Sequence, residues 1–233
     1  MSKTLRCFVA CVGALAFACT EDVDSNDVRT SGLYADMEVL ATGNGDTTVS
    51  VALKPGGSRS NTYLVMEGED ELVASVDDED RKLGKHGNYY ETTFGTDAGE
   101  TEFVVEFRRG PDDVDALDSH ATLPEPFEID DVPGSVSRAD LLEVTWTPSG
   151  TDDDMTWELD GDCLFPNGDD MSDTGTLSLS AGDYDVHSGS EEETCDATLC
   201  LERTRDGRVD AEFGEGGVFR AIQRRCVEFS STP

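Results

Sequence analysis

The sequence predicts an all-β protein built as tandem β-sandwich domains. Three observations predict it. Apolar residues recur with period two, as in Phe103, Val105 and Phe107 against Val104, Glu106 and Arg108. Turn signals such as Gly43-Asn44-Gly45-Asp46, Pro55-Gly56-Gly57 and Gly87-Asn88 punctuate these runs, at the roughly 8–12-residue spacing of sandwich strands. No stretch carries a helical apolar stripe over about 11 or more residues.

The chain opens with Lys3 and Arg6, followed by an apolar run from Cys7 to Phe17. That run, about 11 residues at ~1.5 Å each, is too short to cross ~30 Å of hydrocarbon. Charged start, short apolar core and small residues make residues 1–18 a signal peptide. Leu15-Ala16-Phe17-Ala18-Cys19 resembles a bacterial lipobox, with Ala16 where leucine usually stands. Ala16-Phe17-Ala18 is also an A-x-A site, and both readings cut between Ala18 and Cys19. The resemblance implies that Cys19 carries lipid, palmitate included, and holds the chain to a membrane. Thr20 follows it, where aspartate marks inner-membrane retention in well-studied envelopes, so the outer membrane is the expected address.

Residues 19–31 are polar and acidic and read as the lipidated N-terminus and a flexible tether. Residues 32–110 form the first sandwich. Leu33, Ala35, Met37 and Val39 alternate with Tyr34, Asp36, Glu38 and Leu40, and Val49, Val51 and Leu53 continue the pattern. Tyr63–Met66, Leu72–Val76 and Tyr89–Phe94 are further strands. Residues 111–126 are bracketed by Gly110-Pro111 and Pro124-Glu125-Pro126 and read as a stiff linker holding the domains apart.

Residues 127–233 form the second sandwich. Leu142, Val144 and Trp146 alternate with polar neighbours, and Met155, Trp157 and Leu159 repeat the pattern. Both tryptophans read as core anchors. Asp206-Gly207 is a hairpin signal between Thr198–Arg205 and Arg208–Phe213, and Val218–Phe229 forms one long closing strand.

Seven cysteines are present. Cleavage removes Cys7 and Cys11, acylation occupies Cys19, and Cys163, Cys195, Cys200 and Cys226 remain as an even set. An exported address permits disulfides. Cys195 and Cys200 lie close along one segment, so Cys163–Cys195 and Cys200–Cys226 are the favoured pairs. A structural zinc site is the rival, but only Cys195 and Cys200 approach the tight spacing that zinc wants.

The chain has 51 acids against 17 bases and a formal charge of -34. This excludes nucleic-acid binding, which needs basic patches, and opposes adsorption to anionic lipid unless a covalent lipid supplies the attachment. Such a surface repels itself, and salt should stabilise it.

No chemistry-bearing frame stands out. His86, His120 and His187 are the histidines, and none sits in a metal-binding motif. Nucleophile-elbow, P-loop and dinucleotide fingerprints are missing. Calcium would suit Asp152-Asp153-Asp154, Asp160-Gly161-Asp162 or Asn167-Gly168-Asp169-Asp170, yet none follows the calcium-loop spacing, and solvated acidic loops are the expectation. No catalytic residue, metal or cofactor is assigned.

Leu142-Glu143-Val144-Thr145-Trp146-Thr147-Pro148-Ser149-Gly150 resembles the Ig-like repeats of secreted and wall-associated proteins. Arg203 to Gly207 through Phe213 to Gly217 resembles uncharacterised predicted lipoproteins of myxobacterial type. The resemblance implies two Ig-like β-sandwich modules behind a lipoprotein leader, with paired cysteines in the second. The expected function is a non-catalytic binding, adhesion or structural role at the cell envelope, with an envelope protein or glycan as partner. An exported hydrolase, or its accessory subunit, acting on carbohydrate or peptide is the alternative.

Overall fold

Period-two alternation becomes strand in both halves of the chain. A computed structural model describes residues 21–111 and 113–233. Its strands are β1 (Glu21–Asp24), β2 (Leu33–Ala41), β3 (Thr47–Pro55), β4 (Thr62–Val65), β5 (Glu71–Val76), β6 (Glu79–Lys82), β7 (Gly84–His86), β8 (Tyr89–Phe94) and β9 (Glu102–Arg108). They continue as β10 (Ala116–Thr122), β11 (Ser135–Ser137), β12 (Leu142–Thr145), β13 (Asp154–Gly161), β14 (Leu164–Met171), β15 (Thr176–Leu179), β16 (Cys195–Asp206) and β17 (Gly217–Thr232). Helical structure among the described residues is confined to three single 3-10 turns. The fold is all-β.

In β2 every second side chain is buried, and β3 answers it pair by pair. Ala35 faces Leu53, Met37 faces Val51 and Val39 faces Val49. A four-stranded sheet, β10-β9-β5-β6, closes this layer from the other side. Phe103, Val105 and Phe107 of β9 are fully buried in the shared core. Phe94 meets Phe103 edge to face, and Phe107 stacks on Phe213. A second core gathers Trp146, Met155, Leu159, Leu199, Leu201 and Phe229, covered by the β12–β15 ribbon.

The two cores are not separated by a spacer. One sheet runs β14-β13-β16-β17-β2-β3-β8-β7 through both. Residues Gly217–Gln223 of β17 lie parallel to Ala35–Ala41 of β2, while Ser230–Thr232 lie parallel to β11. The same strand sends Phe219 and Ala221 into the first core and Phe229 into the second. Residues 111–126, expected to be a linker, contain β10, which pairs with β9, and Leu123, which is buried in the first core. Pro111 and Pro124 bracket a strand here rather than a spacer.

Two other expectations are corrected. The tether of residues 19–31 is ordered from Glu21: β1 pairs in parallel with β4, and 3-10 turns follow at Ser25–Asp27 and Thr30–Gly32. Asp206-Gly207 is not a two-residue hairpin turn. β16 and β17 are joined by residues 207–216, which cross β10, and backbone N–H donors run both ways between His120 and Arg208. A Cβ at position 207 would collide with the His120 carbonyl oxygen. Gly207 is there for close approach of another backbone, one of the uses that a glycine in a strand context signals.

Candidate functional site

The first feature is the fastening of the N-terminal segment. Cys19 lies outside the described residues. The chain after it is gripped by Arg109, whose side chain is almost wholly buried. Its Nε donates to Asp70 (3.0 Å), Nη1 to Thr30 Oγ1 (3.0 Å), and Nη2 to the carbonyls of Ser25 (2.9 Å) and Val28 (3.2 Å). Asp113 pairs with Nη1 at 3.0 Å. All five guanidinium N–H groups thus have acceptors. Asp113 also accepts from the Thr30 backbone N–H, and Asp70 from that of Gly110. The guanidinium lies 4.8 Å from the Phe107 ring, a cation–π contact. An open cleft beside this clamp is lined by Asn26, Asp27, Arg29, Glu69 and Pro111.

The second feature is a polar layer between the cores. Arg203 and Gln223 face each other across β16 and β17 and are fully buried, and Arg225 nearly so. Arg203 pairs with Asp173 at 2.9 Å and donates to the carbonyls of Glu125 (2.6 Å) and Thr147 (3.1 Å). Arg203 and Arg225 both lie against the Phe127 ring. Gln223 Nε2 donates to the Asp97 carbonyl (2.9 Å), reaching the first module. Gly43 adopts φ +80°, and a Cβ there would come within 2.7 Å of Arg225 Nε, so the arginine passes where only glycine leaves room.

Burial pushes Asp173 up, but donors from Ser149 and Trp146 and the Arg203 charge outweigh it, leaving the carboxyl below its ordinary range. Asp153 behaves alike. Burial raises it, and hydrogen bonds from Arg205 and Thr151 bring it below normal. Arg205 is raised, first by its bond to Asp153 and, after the opposing effect of burial, by Glu100, so it spans both modules.

Cys163 is joined to Cys195 and Cys200 to Cys226. The first bond ties the β13–β14 turn to the start of β16. The second links residues directly opposite in the β16–β17 ladder.

The acidic clusters differ in setting: Asp160 and Asp162 line an open cleft with Asp196 and Glu228. Asp153 is taken by Arg205, and Asn167 to Asp170 lie in β14, an edge strand rather than a loop. Among the described residues no three His, Cys, Asp or Glu side chains gather as a metal site. His86 contacts Tyr89 Oη (2.6 Å), His120 lies 3.7 Å from Asp118, and His187 packs on Phe165. The three histidines sit apart. Trp146 is a buried anchor whose Nε1 donates to Asp173 (2.7 Å), and Trp157 packs half-buried against the second core. Sequence reading missed Arg109 and Arg203, because an arginine's burial depends on acceptors far along the chain.

No known protein family and no curated relative matches this chain. Among solved structures, the adhesin InvE of Yersinia pseudotuberculosis is similar at 14% identity and a TM-score of 0.21. The match covers 86% of this chain and 59% of that one, so this chain spans less than two thirds of its length.

Proposed function

We propose that this chain is a lipid-anchored cell-envelope protein with a non-catalytic binding, adhesion or structural role, held through Cys19, with the outer membrane as its address. The observation that carries the reading is the leader itself: a charged start, a short apolar core, and Ala18-Cys19 followed by a polar chain. Two disulfides support an oxidising compartment outside the cytoplasm. A sheet shared by both cores, with a buried polar layer at their junction, suits a rigid element presenting a surface at a distance. An envelope protein or glycan is the partner class that fits.

Metabolic palmitate labelling of the wild type and of Cys19→Ser tests the anchor. Label in the wild type alone, with the protein in the membrane fraction, is the expected result. Equal labelling of both, or of neither, would refute it.

A further inference from the structure

One disulfide lies at a break in the long sheet. Along one side of β17, β2 pairs as far as Gln223 and β11 begins at Ser230. Among the described residues no strand pairs with residues 224–229 on that side. Ser230 N–H donates to Gly134 there, and the Thr232 carbonyl accepts from Arg138. Alternation along the strand therefore directs the N–H and C=O groups of Cys226 and Glu228 into the break. Among the described residues neither has a backbone partner in it. The Arg224 carbonyl is already taken by Arg225 Nη1 (2.8 Å).

Cys226 is exposed and Cys200 half-buried on the outer face, directly opposite each other with Cα atoms 4.1 Å apart. That is the closer, non-hydrogen-bonded kind of cross-strand pair. A strand added in the break would set a side chain beside Cys226 on the same face, in a row with Cys200 behind it. The other disulfide offers no such approach, because Cys163 is buried.

The surroundings are acidic and uncompensated. Glu158 is the neighbour of Cys200 on β13, and Glu228 stands two residues beyond Cys226. An adjoining open cleft of about 560 Å³ is lined by Glu228, Asp160, Asp162 and Asp196. All of these acids are exposed, and among the described residues none has an ion-pair partner. Arg224, the base beside them, is paired with Glu202.

We propose that Cys200–Cys226 is a covalent docking site for an extended, lysine- or arginine-rich segment of a partner protein that carries a free cysteine. The segment pairs its backbone with Cys226 and Glu228, and its basic side chains enter the acidic cleft. Its thiolate attacks Cys226 Sγ along the line of the S–S bond. A bond forms between the two sulfurs as the Cys226–Cys200 bond breaks. Cys200 leaves as the thiolate and takes up the proton that the partner's thiol gave up. The disulfide is itself the oxidant, so nothing else is consumed. β13 still braces β16 and β2 still braces β17 once the bond opens, so Cys200 stays in place to reverse the step. Neither sulfur depends on Cys19, so loss of the lipid anchor and loss of this site are read separately.

The test uses the oxidised full chain, purified without reductant, and a short extended peptide with a central cysteine flanked by lysines. Free thiols are then alkylated, and the protein is mapped by mass without reduction. The peptide should be found on Cys226, with Cys200 alkylated and Cys163–Cys195 intact. The same peptide with glutamates in place of lysines should react about tenfold more slowly. N-methylation of the amides beside its cysteine should slow the lysine peptide severalfold, since backbone pairing is lost. Glu158→Gln with Glu228→Gln should narrow the gap between the lysine and glutamate peptides, and circular dichroism checks that this variant folds. Linkage at Cys163, Cys195 or Cys200, equal rates for the two charges, or indifference to N-methylation would overturn the proposal.

Discussion

Arg203 and Asp173 form an ion pair wholly withdrawn from water, Nη2 to Oδ2 2.9 Å, with side-chain exposures of 0% and 4%. It sits where the two cores meet on one sheet. The Arg203 carbonyl acceptors, Glu125 and Thr147, come from different segments, so the pair organises the junction rather than one strand.

Removing one partner should therefore be costly. Asp173→Asn leaves a buried guanidinium without its counter-charge, and Asp173 also accepts from the Trp146 indole. The expected loss is about 3–5 kcal/mol in urea unfolding. Arg203→Met with Asp173→Asn should recover part of it, since no charge is then stranded. Equal loss in the single and double variants would contradict this account.

The response to acid has two limbs. Asp153 and Asp173 are depressed in the folded state. A depressed carboxyl contributes stability above its unfolded value, about 3.9, and that stability is lost as pH falls through the folded value. Self-repulsion of a chain at -34 acts the other way, easing as acids elsewhere titrate. The melting temperature should rise from pH 7 toward about 4.5 and fall below about pH 4. Asp153→Asn should flatten the acidic limb. An unchanged slope there would remove Asp153 from the explanation.

Salt isolates the repulsive part. Exposed charges are screened beyond a Debye length of ~8 Å at physiological ionic strength, whereas the buried Arg203–Asp173 pair is barely touched. The melting temperature should climb steadily with sodium chloride at pH 7, and the climb should shrink at pH 4.5. A flat salt response at pH 7 would mean that the acidic surface costs the fold little.

Strand content was legible because β2, β3 and β9 each bury one face, and one buried face writes period two into sequence. Elements that depend on distant partners were not. β14 contains Pro166, Gly168, Asp169 and Asp170 and has no apolar rhythm, because it is an edge strand held by β13. β10 hides between prolines. The turns at residues 25–32 are held by Arg109, some 80 positions away, and residues 21–24 by β4. Gly207 carries the right residue type for a hairpin turn but is used for contact with β10. The cysteine pairs were legible because few arrangements of four fit the strand order.

The Arg109 clamp predicts a local effect separate from the junction. Arg109→Lys keeps a charge but cannot serve five acceptors on three segments. Amide exchange should accelerate across residues 22–32 while the ladder between β16 and β17 keeps its protection, with a global cost of about 2–4 kcal/mol. Uniform acceleration through both modules would show that Arg109 supports the whole fold rather than the N-terminal segment.

Both disulfides close loops of similar size, 32 and 26 residues apart in sequence. The chain-entropy account gives about 3.5 kcal/mol to each. Their settings differ, however. Cys200–Cys226 lies within a long ladder that β13 and β2 also brace, so its removal leaves the paired strands in place. Cys163–Cys195 fastens the turn after β13, where Arg138 also reaches Cys163 Sγ, Ser231 and the carbonyls of Glu191 and Glu193. Double alanine replacement of either pair should lower stability by a similar amount in denaturant. Only loss of Cys163–Cys195 should open residues 187–195 to limited proteolysis under native conditions. Cleavage there after loss of Cys200–Cys226 instead would reverse the assignment.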